Sequence, residues 1–249
     1  MVNVKSKSDL EKMRKAGKIA GQARELAGES IKAGMSTYEL DKIIHDYIVS
    51  CGATPSFLNL YGFPASACIS INEEVIHGIP SKKKIIKNGD IVSVDVGAYI
   101  DGFHGDTCAT FPVGKVSDEA TKLLEDTKAS LYKAIEKAVV GNHLGDVCHA
   151  VEAYVTPLGY GIVRNYTGHG VGRKLHEAPE VPNYGKEGRG IKLVAGMTFA
   201  IEPMINVRGD GVRTLHNGWT VVTNSGSLSA HFEHTIAVTP DGPIILTEP

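Results

Sequence analysis

The chain repeats its own pattern at a shift of 107 residues. Three glycines and a tyrosine recur without a gap, since Gly34, Tyr47, Gly52 and Gly89 map onto Gly141, Tyr154, Gly159 and Gly196. The run 91–94, followed by Asp95, maps onto the run 198–201, followed by Glu202. Chance similarity between two ordinary α+β stretches is the alternative, but the glycine spacing favours duplication. Two halves related by a pseudo-twofold axis would place Asp95 and Glu202 facing each other.

Each half begins with two predicted helices and continues into predicted strands. A capping-box pattern at Ser8 begins a helix that runs to about Ala33, and a second pattern at Ser36 begins a helix that ends before Gly52. In the second half we expect helices over 118–139 and 144–157. The predicted fold class is α/β (α+β), with a single domain over 1–249 whose pseudo-symmetric halves are about 1–115 and 116–249.

The composition argues against several functional classes. A formal net charge of −2 provides no field toward nucleic acid or anionic lipid, so we expect neither a nucleic-acid site nor a membrane partner. Segment 1–7 lacks the apolar stretch of a secretory signal, and no window approaches the roughly 18 apolar residues of a membrane span. The four cysteines show no C-x-x-C spacing, which argues against a thiolate zinc site. We expect a cytoplasmic protein with reduced thiols.

The first predicted hairpin brings two acids together. Asp101 and Gly102 form a two-residue turn between strand-like runs. Asp95 then opposes Cys108, and Asp106 is the diagonal neighbour of Asp95 on the same face, with Cβ atoms up to ~7–8 Å apart. Two carboxylates placed in this way can share a pair of cations. The alternative is that Asp106 caps a bend while Asp95 pairs with a lysine.

Four acids lie where the pattern predicts burial. Besides Asp95 and Asp106, they are Glu202 in MTFAIEPMINV and Glu233 in SAHFEHTIAVT. Buried carboxylates without partners are costly, and four together would repel one another and raise each other's pKa. Two divalent cations would balance their charge. A proton-sharing acid pair or several buried arginines fit less well, because few arginines occur in these strands.

Histidines supply the other candidate groups. His169 lies between glycines in TGHGVG, where its imidazole could bind metal, although a lone histidine in such a loop is more often structural. His77, His176 and His231 are candidates for contact with a substrate, or they are hydrogen-bonded histidines of the core or surface. Neither H-E-x-x-H nor G-x-S-x-G occurs, which disfavours a helical zinc protease and a serine hydrolase.

Five stretches carry a family resemblance. They are GFPASACISINEEVIHGIP (62–80), DIVSVDVGAYIDGFHGDTCATF (90–111), TGHGVGRKLHEAP (167–179), MTFAIEPM (197–204) and SAHFEHTIAVT (229–239). Together they resemble the type I methionine aminopeptidases over essentially the whole chain. The resemblance implies a pseudo-symmetric "pita-bread" fold, in agreement with the repeat, and a bacterial-type enzyme without an N-terminal extension.

The resemblance also implies a site with two divalent metal ions. Asp106 and Glu233 would bridge both ions, Asp95 would complete one, and His169 with Glu202 would complete the other. A water or hydroxide between the ions would attack the scissile carbonyl, with Glu202 as general base. This oxygen-rich ligand set suits Co, Mn, Fe or Zn. Members of the family also bind a monovalent cation, largely through backbone carbonyls.

The implied substrate is a nascent polypeptide at the ribosome, which loses its initiator methionine when the second residue is small. His77 would contact the scissile amide, and His176 would donate to the carbonyl oxygen. Phe63, Cys68 and Trp219 would line the methionine pocket, because an apolar, polarisable surface suits a thioether; each could equally be plain core. We expect a monomer.

Three positions depart from the family's common pattern. Aromatic residues are frequent where this chain has Leu60 and Leu175, which changes the pocket's shape, and glutamine is frequent where it has His231, beside Glu233. A proline-specific exopeptidase of the same fold is the first rival, because it would share the metal ligands. A catalytically silent binding protein would have lost ligands, and a structural protein would pair its acids with lysines.

Overall fold

The structure, a computed structural model, describes residues 2–249, so Met1, the first residue of segment 1–7 and of the predicted domain, lies outside the described residues. Four α-helices are described: α1 (Lys7–Ser30), α2 (Thr37–Ser50), α3 (Asp118–Ile135) and α4 (Leu144–Val155). The strands are β1 (Thr54–Pro55), β2 (Ala67–Ile71), β3 (Glu74–Ile76), β4 (Ile91–Ile100), β5 (Phe103–Pro112), β6 (Gly161–Ile162), β7 (Gly168–Gly170), β8 (Glu177–Val181), β9 (Thr198–Ile201), β10 (Met204–Asn206), β11 (Val212–Thr214), β12 (Val221–Thr223), β13 (Ser229–His231), β14 (Glu233–Thr239) and β15 (Gly242–Ile245). Across residues 2–249, no helix is long and apolar enough to cross a membrane.

The central sheet joins strands of both halves. Its order is β1-β4-β5-β14-β9-β7-β8, with β2 paired to β4 and β15 paired to β14. The first half supplies β4 and β5, and the second half supplies β9 and β14. The two halves therefore meet between β5 and β14, and residues on this part of the sheet lie near the boundary between them.

Each half buries its helix pair against its own strands. One apolar cluster joins α1 and α2 to β2 and β4, with Ile44 and Val94 among its fully buried residues. A second joins α3 and α4 to β9 and β14, with Val151 and Ile236 among its fully buried residues. Apolar side chains at helical spacing thus form two equivalent layers of helix on sheet.

The duplication extends to individual hydrogen bonds. The backbone N–H of Gly34 donates to Ile86, and the N–H of Gly141, 107 residues later, donates to Leu193. The six repeated glycines all have positive φ values, between 72° and 97°, which favour glycine because it lacks a Cβ atom. The predicted duplication is confirmed, and the repeated glycines mark equivalent turns.

Several predicted helix boundaries were wrong by a few residues. The first helix is capped by Ser6 with Asp9, not by the pattern at Ser8, and it ends at Ser30. The capping box at Ser36 is confirmed. The third helix ends at Ile135 instead of 139, and the fourth ends at Val155 before a short 3-10 helix that contains Pro157.

Candidate metal centre

The hairpin of β4 and β5 places two acids on one face. Its turn residues, Asp101 and Gly102, have φ values of 52° and 84°, the left-handed conformation that this two-residue turn requires. Asp95 lies opposite Cys108, so Asp106, two residues earlier on β5, is its diagonal neighbour. The predicted register is confirmed.

The second half supplies the other three residues. Glu233 is the first residue of β14, Glu202 directly follows β9, and His169 is the middle residue of β7. Because β4, β5, β14, β9 and β7 are consecutive in the sheet, residues that are far apart in the sequence converge on one surface. All five side chains that were predicted as metal ligands line one cavity.

The distances show how closely these groups approach. Possible ligand atoms of Asp106, His169 and Glu233 all lie within 4.8 Å of one another. His169 Nε2 is 3.6 Å from Asp106 Oδ2 and 3.7 Å from Glu202 Oε1. Three carboxylates and an imidazole therefore surround a space in which one or more cations could contact all of them.

The four carboxyl groups oppose one another electrostatically. Burial raises the pKa of Asp106 to about 7. Burial, followed by repulsion from neighbouring carboxylates, raises the pKa of Asp95, Glu202 and Glu233 well above the usual range. Among the described residues that line the cavity, none is a lysine or an arginine. The protein alone provides little to balance this charge.

The donor set fits divalent cations. Asp95 Oδ1, Asp106 Oδ1 and Glu233 Oε1 are buried and have no hydrogen-bond partner in the described part of the chain. Unpaired buried oxygens are costly unless something else satisfies them. Carboxylate oxygens with one imidazole are the ligands that transition-metal dications accept, so the geometry agrees with the predicted ligand set.

The histidines of the cavity are neutral near pH 7. Burial lowers the pKa of His77 and of His169 to about 4, with a smaller contribution from His176. The rings of His169 and His176 are 4.3 Å apart, centroid to centroid, in an edge-to-face arrangement. His77 has a φ of 57°, which turns the chain directly after β3. A neutral imidazole can bind a metal or donate a hydrogen bond to a substrate.

His231 lies beside Glu202, a contact that the sequence pattern did not predict. Its Nε2 is 3.7 Å from Glu202 Oε2. The reason is that β13 pairs with β10, which sets His231 opposite Met204 and close to the residues that follow β9. Burial lowers the pKa of His231 to about 3, so this residue is a neutral neighbour of Glu202.

An apolar region continues from the acids. The cavity has a volume of about 650 Å³ and includes Phe63, Cys68 and Trp219, the three predicted pocket residues. The rings of Phe63 and Trp219 meet edge to face with centroids 5.1 Å apart. Leu60 and Leu175 pack in the same apolar cluster, so both departures from the family pattern lie in the pocket wall.

Sequence reasoning missed three aromatic residues of this cavity, Phe57, Tyr61 and Tyr166. Tyr61 is 76% exposed, has a φ of 51°, and stacks on His176 with ring centroids 5.9 Å apart. Tyr166 meets His77 edge to face at 5.8 Å. Their signal was weak, because an aromatic residue in an irregular loop has no period that reveals its direction. Only Gly62, next to Tyr61, indicated an unusual turn there.

Comparison with known proteins agrees with this geometry. Residues 11–240 match the model of metallopeptidase family M24. The methionine aminopeptidase of Clostridium acetobutylicum is 52% identical over 247 residues, which cover 99% of each chain. The crystal structure of methionine aminopeptidase from Thermotoga maritima superposes with a TM-score of 0.98 at 42% identity and covers 100% of both chains. Prolidase from Pyrococcus furiosus shares the fold, with a TM-score of 0.79 and 26% identity over 99% of this chain and 65% of its own.

The chain is therefore a metallopeptidase of family M24, and within that family it belongs with the bacterial methionine aminopeptidases. It is a hydrolase with the pita-bread fold, as the sequence predicted. Membership of a metallopeptidase family implies divalent metal ions, in agreement with the cluster of carboxylates and histidine.

Proposed function

We propose that this protein removes the initiator methionine from nascent polypeptides whose second residue is small, and that it uses two divalent metal ions. One observation carries the proposal: four buried or half-buried carboxylates and an imidazole converge at one end of a cavity whose other end is apolar. The relatives named methionine aminopeptidase support the choice of substrate.

In this proposal Asp106 and Glu233 would hold both ions. Asp95 would complete the set for one ion, and His169 with Glu202 would complete the set for the other. The proximity of Asp106, His169 and Glu233 supports this assignment. Ions bound here would supply Lewis acidity and lower the pKa of a water molecule. Oxygen ligands with one imidazole suit Co, Mn, Fe or Zn.

Three side chains then have separate roles in hydrolysis. Glu202 takes a proton from the attacking water and returns one to the amide nitrogen as the peptide bond breaks. His176 donates a hydrogen bond to the carbonyl oxygen as negative charge develops there, and His77 contacts the scissile amide. The neutral state of both histidines supports a role as hydrogen-bond donors.

The apolar end of the cavity holds the methionine side chain. Phe63 and Trp219 provide aromatic edges and faces, and Cys68 provides a second polarisable surface. Thioether sulfur interacts favourably with such groups, by about 0.3–1.5 kcal/mol for an aromatic contact. The apolar pocket therefore favours methionine over a polar first residue.

The test is release of methionine from the peptide Met-Ala-Ser before and after chelation, and again after Co²⁺ is restored. We expect activity to disappear on chelation and to return with two equivalents of Co²⁺, and we expect Met-Leu-Ser to be a poor substrate. The matched variant Asp106→Asn should not recover with Co²⁺. Activity that survives stringent chelation would refute the mechanism, and cleavage of a Xaa-Pro dipeptide in place of Met-Ala-Ser would favour the proline-specific rival.

A further inference from the structure

The junction between β5 and β14 depends on threonine side chains. In the described chain, backbone pairing between these strands is limited to two positions, Glu233 with Cys108 and His234 with Thr107. Next to them, Thr235 Oγ1 accepts a hydrogen bond from Asp106 N at 3.1 Å and donates to Asp106 O at 2.8 Å. The backbone of Asp106 is thus held by a side chain of the other half.

The backbone of Glu233 is held in the same way from the opposite strand. Thr107 Oγ1 donates to Glu233 O at 2.7 Å. Thr110 Oγ1 donates to His231 O at 2.8 Å, close to the same residue. We call Thr107, Thr110 and Thr235 the threonine junction. It fixes the relative positions of Asp106 and Glu233, the two residues that the proposed function assigns to both ions.

A buried arginine adds to this junction. Arg24 lies on the buried face of α1 and is 5% exposed. Its Nη1 donates to Thr107 Oγ1 at 2.6 Å, and its Nη2 donates to the half-exposed carboxylate of Glu25 at 2.8 Å. The hydroxyl of Thr107 accepts from Arg24 and donates to Glu233, so these three residues form one continuous hydrogen-bonded chain.

The alternation of β5 explains how a helix residue acts on the acids. Gly105 packs directly against Gly17 of α1, so this face of β5 is turned toward the helix. Thr107 shares that face because side chains two residues apart point the same way, whereas Asp106 points into the metal centre. Arg24 therefore contacts the sheet from behind, on the side opposite the substrate.

Packing alone does not explain why an arginine is buried at position 24. Its Nε is buried and has no hydrogen-bond partner among the described residues, which is unfavourable. An apolar side chain of similar size would avoid both this loss and the burial of a charge. Burial and the neighbouring acids raise the pKa of Glu233, and Arg24 is a cation that lowers it.

We propose that Arg24 is a positioning residue for the metal centre: through Thr107 it fixes the backbone at Glu233 and thereby the separation of the Glu233 and Asp106 carboxylates. This inference rests on the proposed function, because it takes both acids as metal ligands. Groups that orient metal ligands typically contribute about 10–100-fold to metal affinity or activity.

The test is calorimetric titration of the metal-free protein with Co²⁺ alone, together with the visible absorption spectrum of the bound Co²⁺. We expect Arg24→Met and Thr107→Val each to weaken Co²⁺ binding about 10-fold, to change the spectrum, and to lower kcat more than KM. The double variant should be no worse than either single variant, because both changes break one chain of hydrogen bonds. Thr107→Ser keeps the hydroxyl and should behave as the wild type.

Lys128→Met is the matched control. Lys128 lines a second cavity together with Arg24, but it makes none of the hydrogen bonds across β5 and β14 in the described chain. Wild-type Co²⁺ affinity in both Arg24→Met and Thr107→Val would overturn the positioning role, provided that Glu233→Gln loses Co²⁺. If Glu233→Gln also binds Co²⁺ normally, the ligand assignment is wrong and the positioning role is wrong with it. If Arg24→Met does not fold, the positioning role is tested by comparing the Co²⁺ affinity of Thr107→Val with that of Thr107→Ser.

Discussion

Lys5 Nζ lies 2.7 Å from Glu177 Oε2, and the two side chains are only 5% and 6% exposed. Glu177 directly follows His176 and also accepts a hydrogen bond from the backbone N–H of Lys174. This buried ion pair ties the N-terminal segment to the loop that carries His176. The N-terminal segment is fastened in turn by a hydrogen bond from Lys5 N to Gly196 O.

Lys5→Met should therefore weaken both stability and catalysis. It leaves a buried carboxylate without its partner, a change that costs about 3 kcal/mol in comparable pairs. We expect a lower free energy of unfolding in urea and a reduced kcat for Met-Ala-Ser. The double variant Lys5→Met/Glu177→Gln removes both charges and should recover most of the stability. Unchanged stability in Lys5→Met would show that the ion pair contributes nothing.

The same pair predicts an acid-sensitive component of stability. Burial raises the pKa of Glu177, but hydrogen bonds from Lys5, Lys174 and Asn3 outweigh it and leave the pKa below the usual 4.5. A carboxyl whose pKa is lower in the folded protein stabilises the fold above its unfolded pKa, and this contribution is lost as pH falls through the folded pKa. The wild type should exceed Glu177→Gln in unfolding free energy at pH 7, and the difference should shrink below about pH 4.5. Asp101→Asn, which breaks an exposed pair with Lys15, should show little difference at either pH.

The acid cluster predicts the opposite pH dependence for the metal-free protein. Burial raises the pKa of Asp106 from 3.8 to about 7. The folded protein then binds this proton more tightly than the unfolded chain, so the contribution of Asp106 to stability is fully present below about pH 4 and is lost as pH rises toward 7. Asp106→Asn should raise the unfolding free energy of the chelated protein at pH 7 by more than about 1 kcal/mol. The same substitution should remove the stabilisation that Co²⁺ gives the wild type. Equal stability of wild type and variant after chelation would contradict the electrostatic account of the site.

The duplicated turns predict matched effects of substitution. Gly34 and Gly141 have φ values of 92° and 97°, and a Cβ atom at either position would have no neighbour within 4 Å. The cost of alanine at either position is therefore only the free energy of adopting the left-handed backbone conformation, about 1 kcal/mol. We expect Gly34→Ala and Gly141→Ala to lower the unfolding free energy by similar amounts. A neutral result at both positions would show that these left-handed turns are not required.

Substitution of Trp219 should weaken substrate binding without changing metal binding. Its ring lines the apolar end of the cavity, beside Phe63. Trp219→Ala removes apolar contact worth about 1.5 kcal/mol, so kcat/KM for Met-Ala-Ser should fall roughly tenfold. Calorimetric Co²⁺ affinity should stay at the wild-type value. Since Trp219 is the single tryptophan of the chain, quenching of wild-type fluorescence by free methionine provides an independent measurement. An unchanged kcat/KM in Trp219→Ala would show that Trp219 does not contact the methionine side chain of the substrate.

Local patterns were sufficient for much of the fold. The turn at Asp101 and Gly102 and the strict alternation of its strands placed Asp95 opposite Cys108. The glycine repeat predicted the duplication, because each glycine lies at a turn that needs a positive φ. Such features depend on interactions within a few residues, and the amino-acid order therefore encodes them directly. Four acids in apolar runs indicated the candidate metal centre for a similar reason, since the apolar residues next to each acid predicted a buried environment.

Other features depend on how distant segments pack. Two overlapping capping patterns begin at Ser6 and Ser8, and the helix starts at the earlier one, just after Lys5 is anchored by Gly196 and Glu177. His231 lies beside Glu202 because β13 pairs with β10. The contact of Arg24 with Thr107 joins residues 83 positions apart. Periodicity shows which face of an element is buried but not which neighbour covers it, and that choice follows from the packing of the two halves together.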